Sequence, residues 1–161
     1  MPAHHILVVA LLASNLSPSL AFAQQASPKL VLEAAEVTPG TAAADALCQL
    51  RARIKNTGQA IASGFVFGVK LNEHEMGVYR NHVFMEPIQQ GETHSLRLYG
   101  FWTSETGRPL PAAGDLVIEL SLLEARWMKA EKDAGGTLVW SDLGAVEGLP
   151  LVTRQTLKLT R

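Results

Sequence analysis

The sequence predicts an all-β protein built as an antiparallel β-sandwich. In most segments apolar residues alternate with polar ones, which is the period of a strand with one buried face. Clusters of Gly, Pro, Asn and Asp separate these segments roughly every 8 to 12 residues, as expected for a sandwich. Of the 161 residues 47% are hydrophobic and one is Cys, so the chain is neither disordered nor a disulfide scaffold.

The N-terminal segment is predicted to be a signal peptide of residues 1–23. Ile6 to Ala13 form an apolar run that is too short to span a bilayer core, which takes about 20 apolar residues. Ala21 and Ala23 then occupy the −3 and −1 positions of a signal peptidase site, so we expect cleavage after Ala23. A retained membrane anchor is the alternative.

The exported part is predicted to hold a flexible lead-in of residues 24–28 and a single domain of residues 29–161. No second apolar run of transmembrane length follows the signal peptide. We therefore expect no membrane span after cleavage and a periplasmic or secreted location. The net charge of −1 and a pI near 6.5 give no basic footprint for nucleic-acid binding.

The first half of the domain predicts four strands. A leading strand covers Lys29 to Val37, another covers Phe65 to Leu71, and a third covers Met76 to Phe84 with a break at Gly77. The clearest alternation belongs to the strand whose apolar face is Ala46, Cys48, Leu50, Ala52 and Ile54. Because Cys48 is in phase with this face we expect it to be buried and inert, the alternative being pairing between chains.

The second half continues the pattern. Thr93 to Tyr99 alternates, Leu116 to Leu123 suits a central strand, and Leu151 to Leu159 gives the last apolar face. The Pro and Gly residues of 103–114 predict a loop. The composition of Leu120 to Lys132 favours a helix, but the apolar stretch before it predicts a long strand entering a hairpin. The total is about seven to eight strands, as in immunoglobulin-like sandwiches.

A family resemblance accompanies these strands. Leu50 to Gly58, followed by Ala62 to Val69, resembles the core of bacterial immunoglobulin-like modules of the CARDB, or cell-adhesion-related, type. Pro87 to Thr93 continues the resemblance, which covers roughly Leu30 to Trp102, whereas the second half lacks the family's acidic closing segment. The resemblance implies an immunoglobulin-like fold and a non-catalytic, extracytoplasmic module for binding or cell adhesion.

No catalytic motif stands out, so we predict that the protein is not an enzyme. The sequence has no Gly-x-Ser-x-Gly elbow, no His-Glu-x-x-His motif and no Asp-rich calcium loop. The sharpest chemical feature is a group of imidazoles and thioethers that suits copper: His74, Met76, His82 and Met85. A small periplasmic copper-binding protein is therefore the alternative function, although the Met residues could simply fill gaps in the core.

Aromatic residues beside the predicted loop indicate a surface that binds a partner. Tyr99, Phe101 and Trp102 directly precede the loop, and aromatic side chains are enriched at interfaces; packing in the core is the alternative. Trp127 and Trp140 flank the hairpin turn and predict a cross-strand pair. We expect a non-catalytic binding or assembly module without a cofactor. It would recognise an envelope or secreted protein, or a glycan, through loops or a strand edge.

Overall fold

The computed structural model describes residues 29–43, 45–80, 86–103 and 114–160, with residues 79 and 80 described by their backbone. These residues form nine β-strands and no α-helix. The described ranges therefore contain no helix with the length and apolar character needed to cross a membrane. The strands are β1 (Leu30–Thr38), β2 (Thr41–Ala43), β3 (Leu47–Asn56), β4 (Ile61–Leu71), β5 (His74–Arg80), β6 (Thr93–Trp102), β7 (Gly114–Lys132), β8 (Leu138–Ala145) and β9 (Leu151–Thr160).

The strands form two sheets. The small sheet has the order β1-β3-β6, and the large sheet has the order β2-β9-β7-β4-β5, with β8 paired to β7. Every pair is antiparallel except β2 with β9. This arrangement confirms the all-β prediction. The strand number exceeds the expected seven to eight because Thr41–Ala43 forms a short strand that the alternation did not predict. The predicted signal peptide, the lead-in and residues 104–113 of the predicted loop lie outside the described residues.

The core takes its side chains from both sheets. The predicted inward residues of β3 are confirmed at Cys48, Leu50, Ala52 and Ile54, all at most 1% exposed. Phe65 and Phe67 of β4 meet them with no exposure, and their rings lie 6.3 Å apart. Cys48 is buried as predicted, and desolvation raises the pKa of its thiol.

Strand β7 is the longest strand, with 19 residues, and it settles the ambiguous segment. Leu120 to Lys132 is strand and not helix, because β4, β9 and β8 supply backbone partners along its two edges. The predicted pairing of Trp127 with Trp140 is wrong. Trp127 lies opposite Gly144 and is buried in the core, whereas Trp140 lies opposite Ala130 and is half-buried.

Candidate partner-binding surface

The outer face of the small sheet carries an exposed apolar pair at one end. Leu47 of β3 and Trp102 of β6 are directly opposite each other, and they are 56% and 46% exposed. The Leu47 side chain leans over Gly100, where a Cβ atom would lie 3.7 Å from its Cδ1 atom. Because Gly100 has no side chain, the Leu47 side chain can occupy the surface over this position.

A buried hydroxyl fixes the backbone beneath this pair. Thr103 has no exposed surface, and its Oγ1 accepts hydrogen bonds from the backbone N–H groups of Asp45 and Ala46 at 2.8 and 3.0 Å. The same hydroxyl donates to the carbonyl of Ala43 at 3.1 Å, and the Thr103 N–H donates to the carbonyl of Ala46 at 3.0 Å. These bonds tie the start of β3 to the end of β6, so the apolar pair stands on a rigid support.

Two arginines lie further along the same face. Arg51 of β3 and Arg97 of β6 are directly opposite, both are exposed, and neither forms an ion pair with a described residue. Arg51 is four residues from Leu47, a distance of about 13 Å along a strand. Opposed like charges destabilise an antiparallel pair. The surface defined by Leu47, Arg51, Arg97 and Trp102 is called the small-sheet patch below.

The neighbouring charges on this sheet are satisfied internally. Arg53 Nε donates to Glu33 Oε2 at 3.1 Å, and its Nη1 atom lies 3.6 Å from Glu36 Oε1. The Ser95 hydroxyl donates to the second oxygen of Glu36. Glu36 is the cross-strand neighbour of Arg51 but leans toward Arg53 and Ser95. The positive charge of the patch therefore belongs to Arg51 and Arg97.

The structure separates the three aromatic residues that the sequence predicts at a binding surface. Strand alternation predicts that Tyr99 shares the outer face of Arg97, but a β-bulge at Leu98 shifts the register by one residue. Tyr99 therefore lies opposite the buried Leu50, is half-buried and stacks on Phe101 with ring centroids 6.4 Å apart. Phe101 has no exposed surface, so its side chain belongs to the core, and Trp102 alone of the three lies on the outer face.

Sequence reasoning missed Leu47 and the pairing of the two arginines. Both arginines are visible as polar residues of alternating strands, and a like-charged pair would be suspected once their strands were known to be neighbours. Their juxtaposition depends on a register between segments 46 positions apart in the chain, which local alternation does not determine.

Of the residues predicted to bind copper, two are described. His74 lies opposite Leu71 at the start of β5 and is half-buried, and Met76 is half-buried and packs against the core. His82 and Met85 lie outside the described residues, so the copper site stays a prediction. Within the described residues, no three His, Cys, Asp or Glu side chains are grouped so that they could hold a metal ion.

Comparisons with known proteins concern the fold. Neither a protein-family model nor a curated protein matches the sequence. Among solved structures, the CARDB domain of a Pyrococcus furiosus protein, in complex with di-metal ions, matches with 16% identity and a TM-score of 0.46, covering 83% of this chain and 94% of that one. A CARDB domain is thus among the matches, as the sequence resemblance predicts.

Two further structures match over most of the chain. A domain of a cell surface protein from Methanosarcina acetivorans has 12% identity and a TM-score of 0.41, with 76% of this chain and 95% of that chain covered. A β-glucosidase from Erythrobacter marinus has 11% identity and a TM-score of 0.48, and the match covers 83% of this chain but 16% of the glucosidase. No residue of the small-sheet patch takes a role from these likenesses.

Proposed function

We propose that the chain is an exported, non-catalytic module of immunoglobulin-like type that binds an envelope or secreted protein through the small-sheet patch. One observation carries the proposal: Trp102 and Leu47 lie exposed on the outer face of the small sheet, which also carries two arginines that have no described counter-ion. Trp and Arg are the residue types most enriched among the side chains that dominate protein interfaces.

The side chains of the patch indicate which chemical groups the partner presents. An apolar group would cover Trp102 and Leu47 and remove their exposed area from water, which favours association. A carboxylate about 13 Å further along would pair with Arg51 and Arg97 and relieve the repulsion between them. The partner therefore presents an apolar side chain and an acidic group on one surface. Periplasmic or surface exposure of this domain, which the sequence predicts, would bring it into contact with such proteins.

Photo-crosslinking in living cells tests the proposal. A photoreactive amino acid replaces Leu47 in the patch, and the same amino acid replaces Val117, which is 40% exposed on β7 of the other sheet, in the control strain. We expect a discrete crosslinked protein from position 47 that is absent from position 117. Equal products from both positions, or none from position 47, would overturn the proposal.

A second measurement separates binding from folding. Trp102→Ala in the Leu47 crosslinking strain should reduce the crosslinked product by about tenfold or more, because truncation of an interface Trp typically costs about 2 kcal/mol. The purified variant should keep its strand-type far-ultraviolet spectrum and its unfolding midpoint within a few degrees. Products that consist of polysaccharide rather than protein would reassign the patch to a glycan.

A further inference from the structure

A groove lies at the end of the domain opposite the apolar pair of the small-sheet patch. Strand β3 begins at Leu47 of that pair and runs for ten residues to Asn56, and the loop that follows forms one wall of the groove. Residues 59–61, 89–90 and 128–130 line the groove together with Leu143. Its volume of about 410 Å³ is within the range of ligand pockets, which is about 300 to 1,000 Å³.

A buried asparagine holds the two loops that form these walls. Asn56 has no exposed surface, and its Nδ2 atom donates to the carbonyls of Ala60 and Ile88 at 2.7 and 2.9 Å. Its Oδ1 atom accepts from the Gly58 N–H at 2.9 Å, and its backbone carbonyl accepts from the Gly91 N–H at 2.8 Å. One residue therefore fixes both loops, so the groove is formed before a ligand binds.

The third wall is an edge of β7 that β4 does not cover. Strand β4 begins at Ile61, opposite Met128, and the chain before it turns away because the Ala60 carbonyl accepts from Asn56. Strand β7 continues past Met128 to Lys132. Beyond Met128 no described strand pairs with this edge of β7.

The hydrogen-bond pattern shows where the backbone groups of Ala130 point. The Asp133 N–H donates to the Thr137 carbonyl at 2.9 Å, and the Ala125 carbonyl accepts from the Val146 N–H at 2.9 Å, so Asp133 and Ala125 both face the side of β8. Successive residues of an antiparallel ladder face opposite edges, and Ala130 therefore faces the groove that it lines. Its N–H and C=O groups have no hydrogen-bond partner among the described residues.

The side chains around the groove offer hydrogen bonds without a net charge. Gln59, Gln89 and Gln90 line it and are exposed, and their side-chain amides form no hydrogen bond with a described residue. Each amide can both donate and accept. The charge of Lys129 is neutralised by Glu131, whose Oε1 atom lies 2.5 Å from the lysine Nζ. The groove therefore suits a ligand that carries donors and acceptors side by side.

We propose that the groove binds an extended peptide segment of a partner protein, which adds a short strand to the edge of β7 at Ala130. A peptide backbone supplies one N–H and one C=O group at the spacing of a ladder, and it pairs with an uncovered edge in this way. The glutamine amides then bond to the backbone groups that the peptide directs away from β7.

Charge indicates one further property of the peptide. Lys132 is exposed, forms no ion pair with a described residue and shares the face of Ala130, about 7 Å along the strand. A carboxylate of the peptide, two residues beyond the one opposite Ala130, would lie beside it. The peptide is therefore extended, free of Pro at the paired position and acidic at one end.

Nuclear magnetic resonance of the ¹⁵N-labelled protein tests the inference with a synthetic peptide, acetyl-Thr-Val-Thr-Val-Asp-amide. Five residues bury far less than the interface of about 1,600 Å² that stable complexes use, so we expect a dissociation constant of about 1 mM. The largest shifts should occur at the amides of Ala130 and Lys132. No saturable shift by about 5 mM peptide, or largest shifts outside the groove, would overturn the inference.

A modified peptide tests the backbone pairing. The same sequence with every amide N-methylated keeps its side chains but has no N–H groups to donate, so its affinity should be at least about tenfold lower. Equal affinities of the two peptides would show that the groove does not recognise a peptide backbone, and the inference would fail.

Variants test the lining of the groove. Lys132→Glu should weaken binding of the acidic peptide about fivefold, and a peptide with Lys in place of Asp should then bind this variant better than the wild type. Lys158→Glu, an exposed lysine of β9, is the matched control. Gln90→Ala should weaken binding about threefold, whereas Gln155→Ala on β9 should not. Equal effects in variant and control would contradict a site at this groove.

The outcomes separate this inference from the proposed function. Trp102→Ala should bind the peptide like the wild type, because the small-sheet patch is at the other end of β3. If Trp102→Ala keeps its fold but loses the peptide, the peptide binds the patch and the inference fails. If no peptide binds while crosslinking from position 47 persists, the groove is not a binding site and the proposed function is unaffected.

Discussion

The outer faces of the two sheets both carry rows of charged residues that cross neighbouring strands. The charges of one row form ion pairs with each other, whereas those of the other row do not. On the large sheet, Arg154 of β9, Glu119 of β7 and Lys70 of β4 lie side by side. Glu119 Oε2 accepts from Arg154 Nε and Nη2 at 2.8 and 2.7 Å, and Lys70 Nζ lies 3.7 Å from its other oxygen. The hydrogen bond from Arg154 is the main cause that lowers the pKa of Glu119.

The small sheet places Arg51 directly against Arg97. The alternating row of the large sheet satisfies itself, and the acid at its centre has a side chain that is 19% exposed. On the small sheet the acid opposite Arg51 is Glu36, which bonds to Arg53 and Ser95 instead, so Arg51 and Arg97 form no ion pair with a described residue. Charged residues on a sheet face therefore indicate recognition when their cross-strand neighbours do not neutralise them, and otherwise contribute to the fold.

Removal of the hydrogen bonds beneath the small-sheet patch should destabilise the protein more than the other substitutions below. Thr103→Val keeps the side-chain shape but leaves the N–H groups of Asp45 and Ala46 without their acceptor. We expect the free energy of unfolding to fall by about 2 kcal/mol, because the buried hydroxyl loses three hydrogen bonds that contribute about 0.5 to 1.5 kcal/mol each. Urea unfolding measures the loss, and Thr103→Ser, which retains the hydroxyl, should recover most of it. A neutral Thr103→Val would show that these hydrogen bonds do not hold the patch.

The next effect concerns the satisfied row. Glu119→Gln removes the carboxylate that two cations share, and we expect a loss of about 1 kcal/mol in the free energy of unfolding, reduced by solvent screening of the exposed Arg154. Glu73→Gln, in the surface depression that Lys70, Glu119 and Arg154 also line, is the matched control and should change the free energy by less than about 0.5 kcal/mol. Equal losses in the two variants would remove the distinction between the rows.

Acid should weaken the same row in the wild type. The folded pKa of Glu119 is below its ordinary value of 4.5, so the unfolded chain binds more protons between these two values. The stabilisation is therefore complete above the ordinary pKa and is lost as the pH falls through the folded pKa. Unfolding measured from about pH 5 down to about pH 3 should show a smaller decrease for Glu119→Gln than for the wild type. Identical pH profiles would contradict a contribution from Glu119.

The strands themselves could be predicted from the sequence, and the candidate surface could be predicted only in part. The period of two predicted the buried faces of β3 and β4, because successive side chains of a strand point to opposite faces and the apolar ones then share the face toward the core. The face of β6 on which Tyr99 lies could not be predicted, since the bulge at Leu98 forms only when β6 pairs with β3. The register that opposes Arg51 to Arg97 and Trp127 to Gly144 likewise depends on which distant segments become neighbours.

The smallest expected change in stability is also the one that best tests the comparison. Arg97→Glu converts the opposed arginines into an ion pair across β3 and β6, so the free energy of unfolding should rise by about 0.5 kcal/mol. The same substitution should reduce crosslinking from position 47, because a carboxylate then repels the acidic group of the partner. A gain in stability joined to a loss of binding is the result expected of residues that are retained for recognition at the expense of the fold.

Lys132→Glu, the same charge reversal on the other sheet, should leave crosslinking from position 47 unchanged and so controls for the altered net charge. If Arg97→Glu destabilises the protein, Arg97 makes a stabilising interaction within the fold. The charges of the small-sheet row are then neutralised internally, like those of the large-sheet row. If Arg97→Glu stabilises the protein while crosslinking persists, the partner contacts Leu47 and Trp102 without using the arginines. That second result would confine the binding surface to the apolar end of the small sheet.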